Sequence, residues 1–342
     1  MTKPTRVILV TAFVIFSVVF LIHSHVFAEI SRLTNNSYDD KYPQINAEGY
    51  VVWHGSNDDN YDEIFIYDGT STTQLTDNSY IDWYPQINAG GCVVWSGHDG
   101  NDFEIFLYDG TTTAQLTNNS YDEEESQIND NGYIVWQGFD GAYYEIFLYD
   151  GTTTRQLTNN SYDDTRPQIN DNGYVVWQGF DGAYYEIFLY DGKTTTQLTK
   201  NSYDDTCPQI NAGGYAVWCG YGGNDDTSEA FLYNGSAIPQ LTDNSYGDYF
   251  TQINDNGYVV WQGSDGNDYE IFLYDGKTTT QLTNNSYDDT LPQINNNGYV
   301  VWQGVDGDDD EIFLYTPDDD DNDDDGGNGG GGCFISTISI FK

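Results

Sequence analysis

The chain has 342 residues and carries 55 Asp and Glu against 10 Lys and Arg, a formal net charge of −45. A field of that sign and size repels nucleic acid and anionic lipid headgroups and attracts cations and basic proteins, so nucleic-acid binding is excluded. Four cysteines are too few for a disulfide-dense scaffold, and no Cys/His spacing suggests a zinc site.

The first 28 residues read as a signal peptide. Lys3 and Arg6 precede a nearly unbroken apolar run over residues 7–22, and Val26-Phe27-Ala28 places a cleavage site before Glu29. The alternative is an uncleaved anchor, since the apolar run is of marginal length for a span. The rest of the chain is therefore expected outside the cytoplasm, in the periplasm, at the cell surface or secreted. No membrane span is expected after cleavage.

Residues 29–316 are governed by a repeat. Its core, Gly-Tyr-Val-Val-Trp-Gln-Gly, returns with tryptophans at Trp53, Trp95, Trp136, Trp177, Trp218, Trp261 and Trp302, spaced by 41 to 43 residues. A Leu-Thr pair keeps the same beat from Leu33 to Leu282. A fixed period of this length marks a repeat architecture in which each unit buries its apolar face on the next.

The unit around Trp177 reads as four strands. Residues 167–170 form a short strand, Asp171-Asn172-Gly173 a tight turn, and 174–178 a β-branched and aromatic strand. An acidic loop leads to Glu186-Ile187-Phe188-Leu189-Tyr190, and after Asp191-Gly192 a Thr-rich strand closes the unit. Ile187 and Leu189 face one way, Phe188 and Tyr190 the other, and both pairs call for burial. Sheets sandwiched between sheets satisfy that demand, which predicts an all-β, seven-bladed β-propeller of four-stranded antiparallel blades. An open solenoid is the competing arrangement. The seventh unit ends at Tyr315 without its Thr-rich strand, and the spare copy is Ile30-Ser31-Arg32-Leu33-Thr34. The N-terminal strand is thus expected to complete the last blade and remove unpaired edges.

Leu157-Thr158, Asp163-Asp164, Pro167, Gly173, Val176-Trp177 and Glu186-Ile187-Phe188-Leu189-Tyr190 together resemble a TolB-type propeller repeat, over residues 30–315. Trp in the second strand, and seven units where the family's namesake has six blades, are departures. The resemblance implies a periplasmic or surface interaction scaffold and no particular reaction.

Beyond Tyr315 the composition changes. Residues 317–332 form an Asp- and Gly-rich stretch unable to build a core, a flexible linker by composition. Residues 333–342 begin Cys333-Phe334-Ile335 and resemble the C-terminal box of bacterial exported proteins, which implies sorting or attachment. A simple tail with one free thiol is the other reading.

In a propeller the loops entering the first strand and those joining the second and third open on one face. That face should gather Tyr162, Asp163, Asp164, Tyr203, Asp204 and Asp205 with Tyr143, Tyr144, Tyr184 and Tyr185, an acidic and aromatic binding surface. The structural alternative has the same Asp and Ser side chains accepting backbone N–H groups where one blade crosses to the next. Asp265 and Asp268, Asp99 and Asp102, and Asp306 and Asp308 sit on tight loops rich in oxygen ligands, which suits calcium. No cofactor is otherwise required. Cys207 and Cys219 flank one hairpin turn, where a disulfide or two separate thiols are the options. That unit, residues 203–245, departs most from the others.

Apart from residues 1–28, only His54 and His98 remain, and no catalytic constellation is visible. Near-identical blades offer near-identical environments, whereas catalysis needs unlike ones. The expected function is a monomeric, non-catalytic scaffold that binds a protein or cell-envelope component through its acidic, Tyr-rich face. A carbohydrate-binding propeller is the first alternative, and a carboxylate-based polysaccharide-degrading enzyme the second.

Overall fold

Among the residues that the structure, a computed structural model, describes (29–56, 61–221, 227–305 and 309–317), there are 27 strands and no helix. They form seven antiparallel sheets. In the blade of Trp177 the strands are Asp164–Ile169, Val175–Phe180, Tyr185–Tyr190 and Thr195–Gln197, side by side in chain order. First strands of successive blades touch one another around the whole circuit, Asp40–Ile45 meeting Asp289–Ile294 at the join. The first strand is therefore innermost and the Thr-rich strand outermost, as a seven-bladed propeller requires.

The missing in/out alternation has a direct cause. Val176 and Ile187 pack toward Ala216 and Trp218 of the following blade. On the other face, Trp177, Phe188 and Tyr190 pack against Val135, Ile146 and Leu148 of the preceding one. Every interface repeats this arrangement, and the seven repeat tryptophans are 1–2% exposed. Each indole stacks on the facing Phe of the third strand, ring centres 5.8–6.1 Å apart. Truncating one such Trp to Ala should cost about 3–5 kcal/mol.

Two devices close the circle. The strand Glu29–Arg32 pairs with Asp310–Thr316, matching Ile30 with Tyr315 and Arg32 with Phe313. Next to that ladder Leu33 N donates to Ile312 O at 2.9 Å, and the Thr34 hydroxyl donates to Glu311. The second device is a collar of seven buried asparagines at the turns after the first strands. Asn46 Nδ2 donates to Asn88 O, and the pattern passes from blade to blade until Asn295 Nδ2 reaches Asn46 O at 3.1 Å. Each Asn Oδ1 also caps its own turn, as Asn170 does for the N–H groups of Asn172 and Tyr174.

One blade departs in detail. That of Trp218 has three full strands, and its outer strand is reduced to a bridge between Phe231 and Gln240. Pro239 is responsible: its carbonyl accepts from Leu232 N, but it has no N–H to return. Residues 1–28 and 318–342, which hold the expected signal peptide, most of the linker and the Cys333 tail, lie outside the described residues.

Candidate functional site

The loops expected on one face do share it. The Tyr162 hydroxyl lies against Gly182, and its ring meets Phe180 edge-on at 5.7 Å, joining the blade-to-blade crossing to the loop after the second strand. Tyr80, Tyr121 and Tyr246 sit likewise against Gly100, Gly141 and Gly266. With Tyr203 and Tyr287 they remain 43–48% exposed, so one tyrosine per blade rims this face over six blades. Tyr143 and Tyr184 are exposed beside them, whereas Tyr144 and Tyr185 are half-buried.

The aspartates of the motif divide by role. Asp163 Oδ1 accepts Tyr144 N of the preceding blade at 3.0 Å, and Asp204 accepts Tyr185 N at 2.9 Å, so both staple adjacent blades. Asp164 and Asp205 do not belong to a binding surface: they are 4% and 2% exposed. Asp164 Oδ1 accepts the Trp177 indole N–H at 2.9 Å while Oδ2 accepts Asn160 Nδ2. Asn160 N in turn donates to Glu145 Oε1 of the preceding blade at 2.8 Å. All seven indoles are held this way, by Asp in six blades and by Glu123 in the third. Burial, only partly offset by these bonds, pushes the Asp164, Asp205 and Asp248 carboxyls up to about 6. Burial likewise takes Glu123 up to about 7.

Two of the three loops proposed for calcium bring oxygen ligands together. Carboxylates of Asp99, Asp102 and Glu104, and of Asp265, Asp268 and Glu270, offer atoms within 4.8 Å of one another. The Asp102 carboxyl is pushed up by desolvation and then by Asp99 and Asp122, as expected where like charges crowd. These two groups are where a hard cation would sit. Asp306 and Asp308 lie outside the described residues.

The inner strands hold a feature that the repeat pattern hides. Each has a bulge that breaks its register with the second strand, as between Thr165 and Gln168. The residue in the bulge has positive φ in all seven blades, 53–57°, although none is glycine. In three blades its N–H is caught by a Gln of the preceding blade: Arg166 N donates to Gln137 Oε1, Cys207 N to Gln178 Oε1 and Leu291 N to Gln262 Oε1. In the first blade His54 does this for Tyr84 N at 3.3 Å, and burial pushes His54 down to about 4, leaving Nδ1 free to accept. The strain is therefore architectural.

The identities are not uniform. Around the circle the bulge residues are Tyr42, Tyr84, Glu125, Arg166, Cys207, Phe250 and Leu291, while the Gln, Ile and Asn that follow along the strand are the same in every blade. Two pairs of neighbours in this circle touch. Tyr42 and Tyr84 meet edge to face at 4.6 Å, and the Arg166 guanidinium contacts Cys207 Sγ. The far mouth of the channel is different. There a cavity of about 190 Å³ is lined by the repeated Ile and Asn residues, with Asp130 and Asp255 at its edge.

The bulge also decides between the two options for the cysteines. Cys207 and Cys219 are separate thiols, because the residue facing Cys219 across the strands is Thr206. The extra residue in the bulge displaces Cys207 from that register, and its sulfur meets Arg166 instead.

The class defined by this geometry is a closed seven-bladed propeller with one rim of Tyr and Asp and a chemically uneven channel. No protein-family model matches the sequence, and no curated protein does. Solved structures do. The β-propeller domain of the trilobed protease from Pyrococcus furiosus, described as having an open velcro topology, matches at TM-score 0.65 and 12% identity, covering 82% of this chain and 94% of that one. The acylaminoacyl peptidase of Pyrococcus horikoshii matches at 0.62 and 12%, and the chain, 81% covered, spans about half (51%) of its length. TolB from Acinetobacter baumannii matches at 0.52 and 18%, over 75% of this chain and 66% of that one. At these identities the likeness is one of fold, and it includes the TolB type that the repeat resembles. Among the described residues no helix is long and apolar enough to cross a membrane.

Proposed function

We propose that the protein is an exported, non-catalytic scaffold that binds a basic protein or cell-envelope component through the Tyr- and Asp-bearing rim. The observation that carries this reading is the rim itself: a tyrosine per blade, 43–48% exposed in six of them, in a molecule of net charge −45. Exposed tyrosines give rigid amphipathic contact area, and the surrounding field steers a basic partner toward it. The fold's likeness to TolB supports the same reading.

The test is a crosslinking pull-down from envelope extract with the purified protein and a variant carrying Tyr80→Ser, Tyr162→Ser, Tyr203→Ser and Tyr287→Ser. Capture of a basic protein that weakens in the variant and with rising salt supports the rim as the binding surface. Capture indifferent to both, or selective binding on a polysaccharide array, overturns it. Melting with and without calcium accompanies the experiment. A midpoint raised by calcium in the parent protein, and unmoved in the Asp102→Asn, Asp268→Asn double variant, would make the cation part of the scaffold.

A further inference from the structure

Among seven near-copies, the position that refuses to repeat is the informative one. The inner strand keeps Gln, Ile and Asn in all seven blades, yet its bulge residue takes six identities in seven copies. Packing does not demand the variety, because the backbone there has the same positive φ whether the residue is Leu, Arg or Tyr. The order is not scattered either. Phe250, Leu291, Tyr42 and Tyr84 follow one another around the ring as an apolar arc, and Glu125, Arg166 and Cys207 complete it as a polar arc.

Within the polar arc the two opposite charges attract one another without touching. Among the described residues, no hydrogen bond or ion pair joins Glu125 to Arg166, and the guanidinium's one side-chain hydrogen bond is to Cys207 Sγ. Glu125 is half-buried and accepts no side-chain hydrogen bond, while Arg166 is open to the channel. Charges held apart in this way keep their hydrogen-bonding capacity free, so a ligand that bridges them makes bonds the fold leaves unmade.

We infer that this ring binds a small zwitterion with an apolar body, in the form of an α-amino acid with an aromatic or branched side chain. Its carboxylate would take the fork of Arg166, its ammonium the carboxylate of Glu125, and its side chain the arc of Phe250, Leu291, Tyr42 and Tyr84. The surrounding charge selects for such a molecule. A simple anion approaches against a net −45, a simple cation meets Arg166 inside, and a zwitterion carries no net charge to oppose either. The site is separate from the rim and stands whether or not the rim binds a protein.

The experiment is calorimetric titration of the full chain with L-phenylalanine, with N-acetyl-L-phenylalanine and L-phenylalanine amide, each lacking one charge, and with glucose and cellobiose. The expected result is binding of the free amino acid, weakened about tenfold or more by either cap. The variants Arg166→Leu and Glu125→Tyr should lose affinity by a similar factor, about tenfold or more, with an unchanged melting midpoint. Both replacements already occur at this position elsewhere in the ring, at Leu291 and Tyr42, so the fold accepts them. The inference is overturned by no heat of binding at about 10 mM phenylalanine. Equal binding of the capped compounds, indifference of the two variants, or binding of a saccharide in place of the amino acid would overturn it as well.

Discussion

Asp164 shows how much of each blade hangs on one carboxylate. It holds the Trp177 indole N–H, the Asn160 side chain and, through Asn160, the preceding blade's Glu145. A Cβ on Gly179 would overlap its Oδ1, which is why the second strand carries glycine after Trp-Gln. Asp164→Ala would leave the buried indole N–H unsatisfied beside a cavity, a loss of about 1–3 kcal/mol. Urea unfolding should show a midpoint lowered in proportion, with an unchanged slope. The bond to the indole was not legible in the sequence, where Asp163 and Asp164 read alike, as acids of a binding face or as acceptors of backbone N–H groups at the crossing. The signal that could have separated them is that the position 13 residues before each repeat Trp carries Asp or Glu in every unit. A backbone turn would have accepted Asn or Ser there; only a carboxyl offers two oxygens, one for the indole N–H and one for the Asn160 side chain.

At the scale of the strand, the four-stranded blade and its exchange of termini were written in the repeat, because burial on both faces leaves a periodic trace. The bulge was not, since it precedes Pro in five of the seven blades and pre-proline residues are expected to be extended. Its ring of unlike residues went unseen for a related reason: a repeat is recognised by what recurs, and Tyr42, Glu125, Arg166 and Phe250 share nothing. The shift in register is also what separates Cys207 from Cys219. The outer strand of the Trp218 blade offers the cleanest test of strand-level reasoning. Pro239 stands where Thr196 pairs with Leu189 one blade earlier. Pro239→Thr should restore a ladder bond and add about 1 kcal/mol. The thermal midpoint should then rise by roughly 2–4 °C. A fall instead would mean that the chain direction set by proline matters more than the missing N–H.

For the whole molecule, closure and charge pull against each other. Leu33 N on Ile312 O and Asn295 on Asn46 join blades that are far apart in the chain, so the ring is a long-range closure on a strongly self-repelling body. A chain beginning at residue 36 would lose the outer strand of the last blade and the Thr34–Glu311 bond, exposing an edge beside Phe313. It should melt at least about 5 °C lower and associate through that edge. The charge sets the pH dependence. Buried carboxyls raised to about 6, at Asp40, Asp164, Asp205 and Asp248, hold their protons more tightly folded than unfolded. Their contribution is therefore full below the unfolded value near 4 and is lost as pH rises through 6, and Glu123 extends the window to about 7. The turn carboxylates Asp68, Asp109 and Asp150 are shifted down by Thr and Ser hydroxyl and backbone N–H bonds, and their contribution disappears only as pH falls below the unfolded value. The two sets place maximal stability near pH 4–5, below the optimum of most proteins. Melting at pH 5 and pH 8 should differ by several degrees in favour of pH 5, and added sodium chloride should narrow the gap by screening the exposed charges without touching the buried ones. A midpoint that instead rises toward pH 8 would mean that the indole-holding carboxylates are comfortably ionised in the blade interfaces.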